Sequence, residues 1–135
     1  MLYQDVQHFY SRQMDYLDSG STAEWAGTFT EGGVFEANAH PHPQSGRAEI
    51  EAAARKTAAE LAGRQVQRRH WLGMLHVEEQ PDGSVLARTY ALVFETARGG
   101  ATEILLSCTC EDDLIRADGG FQVRHRRVHR DDLPR

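Results

Sequence analysis

The chain has little cysteine, no long apolar run, no internal repeats and no surplus of positive charge, and each shortage removes a class of function. Cys108 and Cys110 are the only cysteines. Two apart in a strand pattern, they point to the same face, which disfavours a bond between them. A metal site built on them would need two more ligands from elsewhere, so they are read as buried free thiols and no metal is expected. No apolar run approaches the roughly 20 residues that span a bilayer. Gln4, Asp5 and Gln7 stand where an export signal would carry a basic segment and an apolar core, so a cytoplasmic location is expected, with no membrane partner. The formal charge is -5 and the acidic residues are spread, so no nucleic-acid partner is expected either. Arg68-Arg69 and the run of Arg124, Arg126, Arg127 and Arg130 are the basic clusters, the second being the larger. Alternation splits the second between two strand faces, which suits charge pairing or a subunit interface. A glycine-rich phosphate loop, a nucleophile elbow and a Cys-x-x-Cys pair are all missing.

What is present reads as one domain over residues 1–135, with a short flexible tail from about 130. Val6, Phe9, Tyr10, Gln13, Met14 and Leu17 recur at helical spacing over residues 2–18. A second, short helix starts at Ser21 or Thr22, with Ala23, Trp25, Ala26 and Phe29 as its inner stripe and Glu31-Gly32-Gly33 as its end. Val34–Ala37 is a brief strand, and Asn38–Gly46 a loop rich in His and Pro. A third helix runs from Arg47 to about Ala62, capped by Gly63. Its buried stripe is Ile50, Ala53, Ala54, Thr57, Ala58 and Leu61, small enough for a close approach to a sheet.

From Val66 the period is two. Strands are expected over Val66–Glu78, Val85–Thr96, Ala101–Arg116 and Phe121–His129, joined by short Gly- and Asp-rich turns. This is an antiparallel meander. With three N-terminal helices covering its concave side, it is expected to curl into an α+β cone-shaped half-barrel. Polar residues on both strand faces (Arg88 with Tyr90, Cys110 with Asp112, His125 with Arg127) suggest a wet pocket between helices and sheet. The opposite face lacks helices. Trp71, Val93 and Leu105 are its outward candidates, which predicts a homodimer through that face.

His70 shares a strand face with Leu72 and Met74, where the helical half meets the sheet half. A carboxylate on one ring nitrogen would fix its tautomer and raise the basicity of the other. Asp18 is the candidate partner. The pair would serve enolisation, aldol cyclisation or dehydration without a cofactor, or else form a structural hydrogen bond pinning the helix end to the sheet. Tyr90 is either an oxyanion donor or a core or rim tyrosine. Asp112, costly to bury unpaired, either faces water or meets Arg88 or Arg127, and is held as a second acid-base candidate. Met14, Tyr16, Trp25, Phe29, Phe35 and Trp71 either line a site for a flat aromatic ligand or pack as core. His40-Pro41-His42 fits a solvent-exposed loop or a pocket lid better than a metal site, and His40 is taken as pocket-lining.

Several strings resemble the SnoaL-like branch of the nuclear-transport-factor-2 superfold. They are Tyr16-Leu17-Asp18-Ser19-Gly20 with Trp25 and Phe29, Gly33-Val34-Phe35, Gly46-Arg47 with Ile50, Arg69-His70-Trp71-Leu72-Gly73, and the stretches 113–116, 118–121 and 126–128. That branch includes scytalone dehydratase, polyketide cyclases, related isomerases and the non-catalytic subunits of ring-hydroxylating dioxygenases. The resemblance implies that Asp18 and His70 face the pocket together. Tyr90 and Cys110 stand near the places of the dehydratase's second histidine and its asparagine, and Gly32-Gly33 replaces the usual acidic-glycine pair. The implied function is a cofactor-independent cyclase, dehydratase or isomerase acting on a polyketide-like aromatic or enone intermediate. The alternative is a non-catalytic ligand-binding or partner subunit of the same fold.

Overall fold

The computed structural model describes residues Met1–Arg135. The apolar spacing of the N-terminal segment produces α1 (Leu2–Asp18), which buries Val6, Tyr10, Gln13 and Met14 on one face. The following α2 (Thr22–Gly27) buries Trp25 and Ala26. It ends before Phe29, and Glu31-Gly32-Gly33 belongs to β1 (Phe29–Ala37) instead of terminating a helix. Pairing with the last strand decides this. A five-residue step on β1, Phe29 to Val34, meets a two-residue step on the partner, Val123 to His125, so β1 bulges between them. A Cβ at Gly33 would stand 3.0 Å from Thr30 O and 3.2 Å from Val123 O. The glycine therefore serves a close backbone approach inside a strand.

Within the His/Pro loop, Gln44–Ser45 forms β2 against β1. After it comes α3 (Arg47–Arg64), which stops at Gln65 in the left-handed conformation, φ 54°, two residues past the expected Gly63. Four long strands complete the chain: β3 (Val66–Glu79), β4 (Val85–Ala97), β5 (Thr102–Ala117) and β6 (Gly120–Arg130). Glu95 on β4 accepts from Arg68 Nε at 3.0 Å and lies 3.6 Å from Arg64 Nη2, tying the end of α3 to the sheet. Arg68, against the opposing effect of desolvation, holds the Glu95 carboxyl below the usual carboxylate range.

β3 to β6 form the expected antiparallel meander, but the whole sheet departs from expectation. Its order is β2-β1-β6-β5-β4-β3, and β1 runs parallel to β6. The anticipated all-antiparallel, cone-shaped half-barrel is therefore replaced by an open, mixed sheet of six strands, neither closed nor strongly curled. α3 and the meander lie between β1 and β6 in the chain, which gives the long crossover a parallel pair requires. β2 and β3 are left as the two edges.

The helices pack on the face that carries Val85, Ala87, Leu114 and Val123. These join Val6, Tyr10, Met14, Trp25, Phe29, Ile50 and Phe121 in the core. Of the expected buried stripe on α3, only Ile50 is buried; Ala53, Ala54, Thr57, Ala58 and Leu61 are half-buried and line a cavity. The small side chains thus leave space under α3. No helix is long and apolar enough to cross a membrane.

The bulge yields a direct test. Gly33→Ala places a methyl against two backbone oxygens that cannot rotate away, and is expected to cost about 1–3 kcal/mol by urea denaturation. Unchanged stability would show that the bulge has room for a side chain.

Candidate active site

α1 ends beside β3, and this brings Asp18 onto His70. Asp18 Oδ1 lies 2.7 Å from His70 Nδ1, and Asp18 Oδ2 accepts the His70 backbone N–H at 3.0 Å. The carboxylate thus grips ring and backbone of one residue. Gln67 Nε2 adds a bond to the Asp18 carbonyl at 3.1 Å. An ionised carboxylate only accepts, so in the neutral imidazole Nδ1 carries the hydrogen and Nε2 the lone pair.

Both residues line a cavity of about 590 Å³ between helices and sheet. Leu72, Ala91, Val93, Leu106, Cys108 and Cys110 form its sheet wall, and the Ala53–Ala62 side of α3 forms the wall opposite. Met14, Leu17, Trp25, Phe35 and His40 also face it. The lining is mostly apolar, with a few polar groups at defined points, as expected of a small-molecule site.

The far side of the site rests on a buried ion pair. Asp112 on β5 and Arg126 on β6 are direct cross-strand partners, 0% and 3% exposed. Arg126 Nε donates to Asp112 Oδ1 at 2.8 Å, and Nη2 donates to Asp112 Oδ2 and to Gln13 Oε1, each at 2.7 Å. Tyr10 O–H donates to Asp112 Oδ2 at 2.7 Å, and Gln13 Nε2 to Thr28 Oγ1 at 2.8 Å. Burial opposes the charge of Arg126, but Asp112 more than offsets it and keeps the guanidinium firmly protonated. Burial and then the charge of Asp112 raise the Tyr10 hydroxyl well above its ordinary range.

A match to the SnoaL-like domain family covers residues 2–127. The chain belongs to that family. Among solved structures, Aln2 from a Streptomyces species is 38% identical, with a TM-score of 0.89 over 98% of this chain and 92% of that one. ActVI-ORFA from Streptomyces coelicolor is 35% identical, with a TM-score of 0.90 over 99% and 98%. A Catenulispora acidiphila protein solved in complex with S-DNPA is 38% identical, with a TM-score of 0.83 over 97% and 94%. A comparison with curated proteins gave no match.

In this SnoaL-like domain, Asp18, His70, Leu72, Met14, Trp25, Phe35, His40 and Cys110 all meet at the cavity. Other candidates lie elsewhere. Met74, expected beside Leu72, is 77% exposed: the register slips between Gly73 and His76, Met74 takes φ 53°, and Leu75 packs on the core in its stead. Tyr90, 61% exposed, stands on the outer face with Arg88, out of reach of the cavity. Trp71, 69% exposed, is also outside. Phe29 is core, edge-on to Trp25, and Tyr16 faces a smaller surface groove where its hydroxyl accepts from Arg12. Val93, expected outward, faces the cavity opposite His70.

Asp112 meets neither Arg88, which pairs with Glu111, nor Arg127, which pairs with Glu36. Its sealed ion pair leaves it no exchangeable role in the cavity. In the sequence Arg126 stands out only as one member of a basic cluster suited to charge pairing. The signal available was an inward carboxylate and an inward guanidinium on neighbouring hairpin strands.

Cys110 Sγ lies 3.6 Å from Asp112 Oδ1. Burial, then the negative charge of Asp112, push its thiol far above the ordinary range, so it stays neutral in mildly alkaline solution. Cys110 is expected to resist DTNB at pH near 8 in the folded protein and to react once urea unfolds it. Rapid labelling of the native protein, located by peptide mapping to Cys110, would contradict this environment.

Proposed function

We propose that this SnoaL-like protein, acting as one domain in the cytoplasm, is a cofactor-independent acid-base enzyme. Its substrate is a polyketide-like aromatic or enone intermediate, a hydrophobic ligand suited to the apolar cavity. The observation that carries the reading is the 2.7 Å contact of His70 Nδ1 with Asp18 inside an open cavity. A non-catalytic binding subunit would tolerate a site filled by side chains, whereas here about 590 Å³ stays open in front of the His70 ring.

His70 Nε2 removes a proton from a carbon next to a carbonyl, and the C–H electron pair moves into an enolate. Asp18 keeps the ring in one tautomer and stabilises the imidazolium that forms. That imidazolium can return its proton to another carbon, which is isomerisation, or to a departing hydroxyl, which is dehydration. If the enolate instead attacks a second carbonyl, a ring closes and the proton goes to the new alkoxide. None of these steps needs an oxidant or a group carrier. Tyr90, on the outer face, takes no part.

A bicyclic ketone tests the proton transfer directly. With an acetyl-substituted α-tetralone in D₂O, the protein is expected to accelerate deuterium exchange at the ring methylene next to the ketone, followed by NMR. His70→Ala should lose about 10²–10⁴-fold while keeping its melting temperature near wild type. Asp18→Asn should lose a smaller factor through tautomer control. Exchange at the wild-type rate in folded His70→Ala would end the catalytic reading of this residue.

We also propose a homodimer through the helix-free sheet face. Trp71, Tyr90 and Ile104 stand exposed there, and the pairings Trp71 with Leu92 and Phe94 with Ile104 make the apolar surface continuous across β3, β4 and β5. Such a patch is unfavourable in water. Sedimentation equilibrium at micromolar concentration should report a dimer, shifted toward monomer by Trp71→Glu. A wild-type protein that sediments only as monomer would refute it.

A further inference from the structure

Arg126 has more donors than its network uses. Nε and Nη2 make its three hydrogen bonds, to Asp112 and Gln13. A guanidinium has five N–H groups, and two of them sit on Nη1, which has no acceptor among these bonds. Nη1 is not one of the sealed polar atoms lacking a partner; those are on Thr89, His125 and His129. Arg126 also lines the cavity, although its side chain is only 3% exposed. The uncovered remainder therefore opens on the cavity. The group cannot swing away: its Cζ lies 5.5 Å from the Phe29 ring, 5.6 Å from Trp25 and 5.8 Å from Tyr10.

We propose that Arg126 Nη1 is a specificity-determining donor that binds a neutral carbonyl oxygen of the substrate, a carbonyl other than the one activated at His70. The inference rests on the proton-abstraction reading of that residue. Two features set the chemistry. Asp112 already balances the arginine's charge, so a carboxylate entering the site would leave a buried negative charge uncompensated, whereas a ketone or quinone oxygen would not. The spacing follows from α1, which grips Arg126 through Gln13 and His70 through Asp18. Five residues of helix place those grips about 7.5 Å apart along the axis. Two anchor points set apart in this way suit oxygens on different rings of a fused system. The ligand class is a multi-ring aromatic ketone oxygenated at both ends.

Three tetralones differing only in one substituent on the aromatic ring test this: acetyl, ethyl and carboxylate. Binding is read by quenching of tryptophan fluorescence, since Trp25 lines the cavity. The wild type should favour acetyl over ethyl by about 10- to 100-fold, the range of a charge-assisted hydrogen bond. It should bind the carboxylate more weakly than the acetyl compound. Arg126→Lys, which can satisfy Asp112 or the ligand but not both, should lose the acetyl preference. Should that variant fail to fold, Arg126→Gln with Asp112→Asn removes both charges together and should lose the preference likewise. His70→Ala should retain the preference while losing deuterium exchange, so the two readings fail separately. The proposal is overturned if the wild type does not discriminate, if a folded Arg126 variant still does, or if the carboxylate binds tighter than the acetyl compound.

Discussion

The arrangement of this protein depends on one buried ion pair. Asp112 and Arg126 face each other across β5 and β6, and α1 reaches them through Tyr10 and Gln13, with α2 joining through Thr28. Such a pair contributes little net stability against an apolar substitute, yet losing one partner leaves a buried charge uncompensated, at about 3–5 kcal/mol. Its effect is to specify geometry. Only one placement of α1 satisfies both Tyr10 and Gln13, and that placement carries Asp18, at the helix end, to the opposite edge of the sheet. α1 is thus a strut that ties β5 and β6, through Tyr10 and Gln13 in its middle, to β3, through Asp18 at its end.

The cavity exists because the strut holds helices and sheet apart where α3 has only small side chains. Ala53, Ala54 and Ala58 fill little of the space between Ile50, which is buried, and Leu61, which is not. An apolar enclosure of this kind gives weight to the few polar groups present. The two grips of α1, Asp18 and Gln13, fix His70 and Arg126 at separate points of that lining, which also holds Gln67, Arg68 and Arg130.

Much of this is legible in the amino-acid sequence. Helical and strand periodicity located three helices and four long strands, whereas the approach of Asp18 to His70 was implied by the resemblance to the SnoaL-like branch and not by periodicity. What escaped the sequence was set by contacts between distant segments. The bulge at Gly33 follows from parallel pairing with β6, whose paired residues lie more than ninety positions later, so Glu31-Gly32-Gly33 reads as a helix end. Met74 broke the two-residue alternation because the register shifts between Gly73 and His76. The partnership of Asp112 with Arg126 depended on another shift, between Asp113 and Leu114, which moves the pairing by one residue. Alternation predicts the face of each residue only until a bulge resets it.

The same irregularity in β3 bears on how the protein behaves among many copies of itself. β3 is an edge strand of fourteen residues. An edge of that length, straight and regular, offers a row of unpaired amides and carbonyls to any passing chain. The kink at Met74, with its left-handed backbone, cuts the row into two shorter segments that no single straight strand can extend. Arg68 and Arg69 place charge on the first of them. The feature that costs the cavity one apolar wall residue thereby guards the sheet against runaway strand addition and fibre growth.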